Sequence, residues 1–149
     1  MVRAEVNLAE VEALLREVER AGTNATPAMR DIAHRLRSDI LLNFRTGGTF
    51  PESWEPSERV KKSGGQTLVD TATLRNSMHP DWGATEAMAG TDVIYGGIHQ
   101  FGGLCGRGLA TRMPARPFLP IDAQDNLRPS TARFAADRLV AHYLGGGAA

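Results

Sequence analysis

The sequence contains a single cysteine, Cys105. One thiol permits no intramolecular disulfide and cannot supply a cysteine-based zinc site alone. No stretch approaches the ~18 apolar residues of a membrane span. The N-terminal MVRAEVNLAEVEALL carries acids throughout and no continuous apolar run, which argues against a signal peptide. Net charge is absent too: seventeen Lys and Arg balance seventeen Asp and Glu, so no global field draws the protein to nucleic acid or membrane. His34, His79, His99 and His142 are scattered, with no HExxH, no P-loop and no GxGxxG after a strand. These absences predict a soluble, cytosolic protein with no metal and no cofactor. The 149 residues fit one domain, taken as 1–144, with a disordered tail at 145–149.

Helical periodicity is present at both ends. Asn7 can cap a first helix, 7–21, with Glu10 completing a capping box and Val6 and Val11 a hydrophobic staple. Leu8, Val11, Leu14, Leu15 and Val18 follow at helical spacing until Gly22. Thr26-Pro27 opens a second helix whose stripe is Met29, Ile32, Ala33, Leu36, Ile40 and Phe44, ended by Gly47-Gly48. The short link between them predicts a helical hairpin, or a first helix projecting as an arm. Near the C-terminus Asn126 is a capping residue, with Pro129 inside the first turn and Ala132, Ala136, Leu139, Val140, Tyr143 and Leu144 along one face.

Between these helices the pattern changes. Residues 45–71 are rich in Gly, Pro, Ser and charge, yet hold Phe50 and Trp54. A loop this long is usually functional or disordered, and this one is expected to order only on contact. Trp54 either folds back on its own core or anchors a neighbour. Asp70 can cap a short turn through TATLRNSM, and residues 75–92 read as two strands with turn chemistry at Asp81-Trp82-Gly83. A second Gly- and Arg-rich loop occupies 102–117.

The stretch VIYGGIHQFGG contains a histidine close to the cysteine. His99 and Cys105 would suit a base and a nucleophile within hydrogen-bond reach, but no local signature of a catalytic cysteine accompanies them. The alternative is a structural corner. Tyr95, Ile98 and Phe101 would turn their apolar groups inward, Gly96 and Gly97 would allow close backbone approach, and His99 would bond backbone. Gly102-Gly103 would provide an exit with positive φ.

The motifs FRTGGTFPESWEPS (44–57), LVDTATLRNSM (68–78), GTDVIYGGIHQFGG (90–103) and MPARPFLP (113–120), in this order and between flanking helices, resemble the virion-morphogenesis, or tail-completion, proteins of Mu-like tailed bacteriophages and prophages. The resemblance implies an α+β fold, with a small antiparallel sheet packed by two N-terminal helices and a C-terminal helix. It implies a non-enzymatic neck or head–tail joining subunit that works as a homo-oligomeric ring, most simply a hexamer. Such a subunit would be assembled in the host cytoplasm and carried in the virion. Its neighbours would be portal or head-completion proteins and tail-terminator or tail-tube proteins.

A ring is a heterologous, closing assembly and needs two unlike faces. Residues 76–101 contain Asp81, Glu86 and Asp92 and no Lys or Arg, whereas 102–120 contain Arg107, Arg112 and Arg116 and no acid. We expect these groups to meet across the subunit interface, setting register, with Phe50 and Trp54 supplying affinity. Arginines facing a central channel would also touch DNA phosphate without reading sequence. The alternative readings are a small nucleic-acid-binding module using the Arg107–Arg116 loop, and a cysteine-dependent hydrolase.

Overall fold

A computed structural model describes residues 8–145. The Asn7 capping box, the Val6–Val11 staple and the tail beyond Gly145 lie outside the described residues. The elements run α1 (Leu8–Thr23), α2 (Thr26–Thr46), α3 (Glu58–Ser63), α4 (Thr73–Asn76), β1 (His79–Trp82), β2 (Ala87–Gly90), α5 (Gly96–Phe101), β3 (Gly103–Cys105), β4 (Thr111–Met113) and α6 (Pro129–Leu144). The α+β class holds, but the strands form two separate two-stranded antiparallel sheets rather than one.

Helix α2 is the axis of the fold. Asn24 Oδ1 accepts from the Thr26 amide at 3.2 Å, so the capping oxygen lies two residues before the threonine, and Pro27 sits in the first turn. Only two residues separate α1 from α2. One face of α2 carries β1 and β2, and another packs on α6, which α1 also touches. Its buried residues include the expected Ile32, Ala33, Ile40 and Phe44, and also Asp39 and Asn43, which an apolar stripe does not announce.

The β1–β2 pair matches the expected strands, in register from His79↔Gly90 to Trp82↔Ala87. Its turn starts two residues later than expected, because Asp81 and Trp82 are strand residues and Gly83 N–H donates to Glu86 O at 2.9 Å. The loop 102–117 is largely a hairpin: β3 and β4 pair from Gly103↔Met113 to Cys105↔Thr111, across a 3-10 turn, Arg107–Leu109.

Residues 45–71 are ordered by the core itself, against the expectation that they await a partner. Ile40, Phe44, Trp54, Leu74, Met78 and Phe118 form one cluster, in which Phe44 stacks on Phe118 at 5.5 Å and meets Trp54 edge-on at 5.7 Å. Gly48 makes the return possible: a Cβ there would lie 2.6 Å from Glu52 O and 2.7 Å from Trp54 Cδ1. Ser57 Oγ then caps α3 by accepting from Val60 N–H at 3.3 Å, a short helix that periodicity missed. Asp70 caps nothing; it pairs with Arg59 at 3.6 Å, and Ala72 precedes α4.

Helix α6 begins at Pro129, with Arg128 at the flanking position instead of Asn126. The Asp122 carboxylate occupies the Asn126 amide at 2.9 Å, closing a turn before the helix. Thr131 is fully buried and donates to Asp39, which also accepts from Arg35 Nε at 3.1 Å. The face expected to be buried is split: Leu139 and Tyr143 are half-buried, whereas Ala132, Ala136, Val140 and Leu144 face solvent.

Candidate assembly surface

The segment Ala115–Leu119 is strapped down by polar groups from three other parts of the chain. Gln100 Oε1 accepts from the amides of Phe118 and Leu119 at 2.9 and 3.0 Å. Asn43 Nδ2 donates to Phe118 O at 2.9 Å, and Trp54 Nε1 to Pro117 O at 2.8 Å. Arg116 returns a bond from Nε to Glu55 O at 2.9 Å, and its amide donates to His99 O at 2.7 Å. Each of the motifs 44–57, 68–78, 90–103 and 113–120 therefore contributes to one joint or to the cluster beside it. These motifs build the fold.

That joint decides which groups reach the surface. Trp54 is 7% exposed and Arg116 is 6% exposed, so neither is available to a neighbour, contrary to their expected place in the interface. The indole places its N–H on an internal carbonyl, and the guanidinium places Nε on another and one NH group near Met113 Sδ at 3.9 Å, which is how such polar groups are accommodated when buried. Phe50 is half-buried and gives its carbonyl to Asn43 at 3.0 Å.

The corner behaves in the opposite way. Helix α5 turns Gly96 and Gln100 inward, since Gln100 must reach the strap amides. One turn of helix cannot also bury Phe101, which is 77% exposed, and Ile94 just before the helix is 99% exposed. Tyr95, Leu104 and Leu109 are exposed with them. The expectation of apolar groups turned inward is thus corrected for Tyr95 and Phe101, while Ile98 is half-buried; the corner and its hairpin carry several apolar side chains facing outward. Gly96 does meet a close neighbour, Thr91 Cγ2 at 2.8 Å from a Cβ, whereas Gly97 faces open space. Gly102, at φ +69°, lies against Ala115 N and Met113 O, 2.7 and 2.9 Å from where a Cβ would be, so a side chain would unseat the strap.

His99 does not bond backbone through its ring. Nδ1 is buried without a partner, and the ring meets Tyr95 edge-on at 6.0 Å. Burial, and then the Arg116 charge, holds its pKa below the ordinary 6.5. Cys105 is half-buried in β3 and makes no hydrogen bond with His99, so the structure does not assemble a nucleophile–base pair from them.

The charged groups are partly as expected. Asp81, Glu86 and Asp92 are all exposed on or beside the β1–β2 hairpin. Asp92 lies 3.7 Å from His79, and Asp81 accepts the Trp82 amide at 2.9 Å. Arg107 and Arg112 are exposed on the β3–β4 hairpin and form no ion pair among the described residues. The surface therefore offers one acidic hairpin and one basic, apolar-flanked hairpin. Among the described residues, no group of three or more His, Cys, Asp and Glu is placed to hold a metal ion, and no helix is long and apolar enough to cross a membrane.

The described surface of this small α+β fold thus carries exposed apolar side chains together with Arg107 and Arg112, which form no ion pair among the described residues. The chain belongs to the phage virion morphogenesis family, which matches it over residues 6–130. It is 38% identical over 126 residues to the Mu-like prophage FluMu G protein 2 of Haemophilus influenzae, covering 84% of this chain and 88% of that protein. No solved structure gives a significant match. The protein thus has a role in bacteriophage morphogenesis and is associated with the virion.

Proposed function

We propose that the chain is a non-enzymatic, ring-forming subunit of the neck or tail-completion region, most simply a hexamer. It would be set between portal or head-completion proteins and tail-terminator or tail-tube proteins, after assembly in the host cytoplasm. The observation that carries this reading is the exposure of four large apolar side chains, Ile94, Phe101, Leu104 and Leu109, on and beside α5 and the β3–β4 hairpin, which also bears Arg107 and Arg112, without ion pairs among the described residues. An isolated two-stranded hairpin is marginal in water, and one bearing bare apolar groups calls for a covering surface. The acidic hairpin of Asp81, Glu86 and Asp92 supplies an unlike face, as a closing head-to-tail contact requires.

The division of labour differs from that expected from sequence. Apolar anchors of about 1.5–3 kcal/mol per buried side chain come from Ile94, Phe101 and Leu104, whereas surface ion pairs of ~0–1 kcal/mol set register. If the hairpin lines a channel, Arg107 and Arg112 would also contact DNA phosphate non-specifically.

Light scattering across a concentration series, at low and high salt, tests the reading. A discrete closed multimer loosened by salt, and lost in Arg107→Glu/Arg112→Glu with the fold intact, is the expected outcome. Unchanged multimers in that variant would remove the charge-register part; an open-ended series of sizes would remove the ring.

A further inference from the structure

A cleft of about 700 Å³ lies between α2 and α4, lined in part by Arg37, Leu41, Leu42, Arg45, Gln66 and Arg75. Its three arginines make no ion pair among the described residues. Arg37 gives Nε to Met78 O at 2.9 Å and Arg75 gives Nε to Asn76 Oδ1 at 3.3 Å, which leaves most of each guanidinium fork free. No acid lines the cleft. Three cations with an aliphatic floor between them call for a ligand that is anionic and apolar at once.

The chain itself carries such a surface. Glu12, Leu15 and Glu19 are exposed on α1, and their spacing of three and four residues puts them on one helical face. Leu15 is 58% exposed and Glu12 makes only a loose 3.5 Å pair with Arg16. On α2, Arg37, Leu41 and Arg45 follow at four-residue steps, again on one face. The two acids are separated by roughly 10 Å along their helix and the two arginines by about 12 Å along theirs. Acid–leucine–acid thus matches arginine–leucine–arginine in order and in length, with Arg16, which pairs with Glu12 at 3.5 Å, at the margin of the same face.

We propose that the Glu12–Leu15–Glu19 face of α1 in one subunit docks into the Arg37–Leu41–Arg45 cleft of the next, with Arg75 closing the far side. This rests on reading the chain as a self-assembling subunit, and gives that assembly a second contact, distinct from the hairpins. Among the described residues, the extensive packing of α1 is against α6, and the exposed Glu12, Leu15 and Glu19 leave this face open to a neighbour. An aliphatic floor and a concave shape suit a helix better than a phosphate backbone, and the chain's zero net charge offers a polyanion no long-range attraction.

Arg37 is left intact in the test because it supports Met78. Two charge-reversed proteins are made, Glu12→Arg/Glu19→Arg and Arg45→Glu/Arg75→Glu, and both are checked for unchanged thermal melting. Each alone should associate at least about tenfold more weakly, and a one-to-one mixture should recover, since each defective face then finds a matching partner. Separately, Leu15→Cys and Leu41→Cys are placed in different Cys105→Ser chains, so that only contact between subunits can join them by disulfide on mild oxidation. Full association in both charge variants without cross-linking overturns this contact and leaves the hairpin-based ring standing. Cross-linked species without a closed ring support the contact and remove the ring. A wild type that stays monomeric at millimolar concentration overturns the contact, which needs no other component. So does loss of binding to a short duplex DNA in Arg45→Glu/Arg75→Glu with self-association unaffected, which would make the cleft a phosphate site.

Discussion

His99 has a buried Nδ1 without a partner and a pKa held below 6.5, first by burial and then by the Arg116 charge. Its protonation is therefore linked to folding. Near and below pH 6.5 the unfolded chain binds this proton more readily than the native state, so stability rises with pH across that interval. The full stability is present above 6.5 and is lost as pH falls from 6.5 through the folded value. Urea midpoints measured from about pH 7.5 down to about 5 should show this slope in the wild type and a smaller one in His99→Leu. An identical slope in both proteins would rule out His99 as its source. Arg116 gives a second residue-scale expectation. Its guanidinium is anchored on Glu55 O, and a hydrogen bond from a charged group contributes about 1.5–3 kcal/mol. Arg116→Ala should lower stability by that order, while Arg107→Ala and Arg112→Ala, both exposed, should leave melting within about 0.5 kcal/mol. Equal effects at all three positions would contradict the strap.

At the scale of elements, α2 and α6 are joined through Asp39, which accepts from Thr131 and Arg35 and lies 3.8 Å from Arg128. Removing the carboxylate strands a buried hydroxyl and leaves two arginines side by side, although both are partly hydrated. Asp39→Ala should therefore cost about 2–3 kcal/mol, seen as a lower denaturation midpoint; a change under about 0.5 kcal/mol would mean that α6 is held by its apolar face alone. This joint also shows what pattern reading can reach. The periodicity of α2 and the existence of the β1–β2 pair were legible, because apolar spacing along a helix and turn chemistry between strands are local signals. Asp39, Asn43 and Gln100 were not, since polar residues are buried only where distant backbone groups satisfy them. The same bonds explain the exchanged roles of Trp54 and Phe101. Trp54 goes inside because Gly48 lets the chain turn back and Pro117 O receives its N–H; Phe101 goes outside because Gln100 has the inward position on α5. The short α3 lacked any apolar period, having no buried residue, and only its Ser57 cap marks it.

For the molecule as a whole, the consequence is two pairs of unlike surfaces on one chain. The acidic and basic hairpins form the first pair, and the α1 face with the α2–α4 cleft forms the second. Heterologous contacts close into a ring only when the rotation between neighbours divides a full turn, and otherwise propagate as a filament. Two contacts that must be met at once restrict that rotation far more than one, because each pair alone tolerates rocking about its own small area. Ile94→Ser/Phe101→Ser tests this directly, since both side chains are exposed in the monomer and their loss should leave melting within about 0.5 kcal/mol. Losing the apolar anchors should weaken association by about 2–4 kcal/mol in total, a shift of roughly one and a half to three decades in concentration. If the α1–cleft contact survives on its own, light scattering on that variant at high concentration should show a broad distribution of sizes in place of one closed species. A single closed species of unchanged mass and unchanged affinity would place the principal contact elsewhere on the subunit and make the exposed corner a docking face for the proteins stacked above or below the ring.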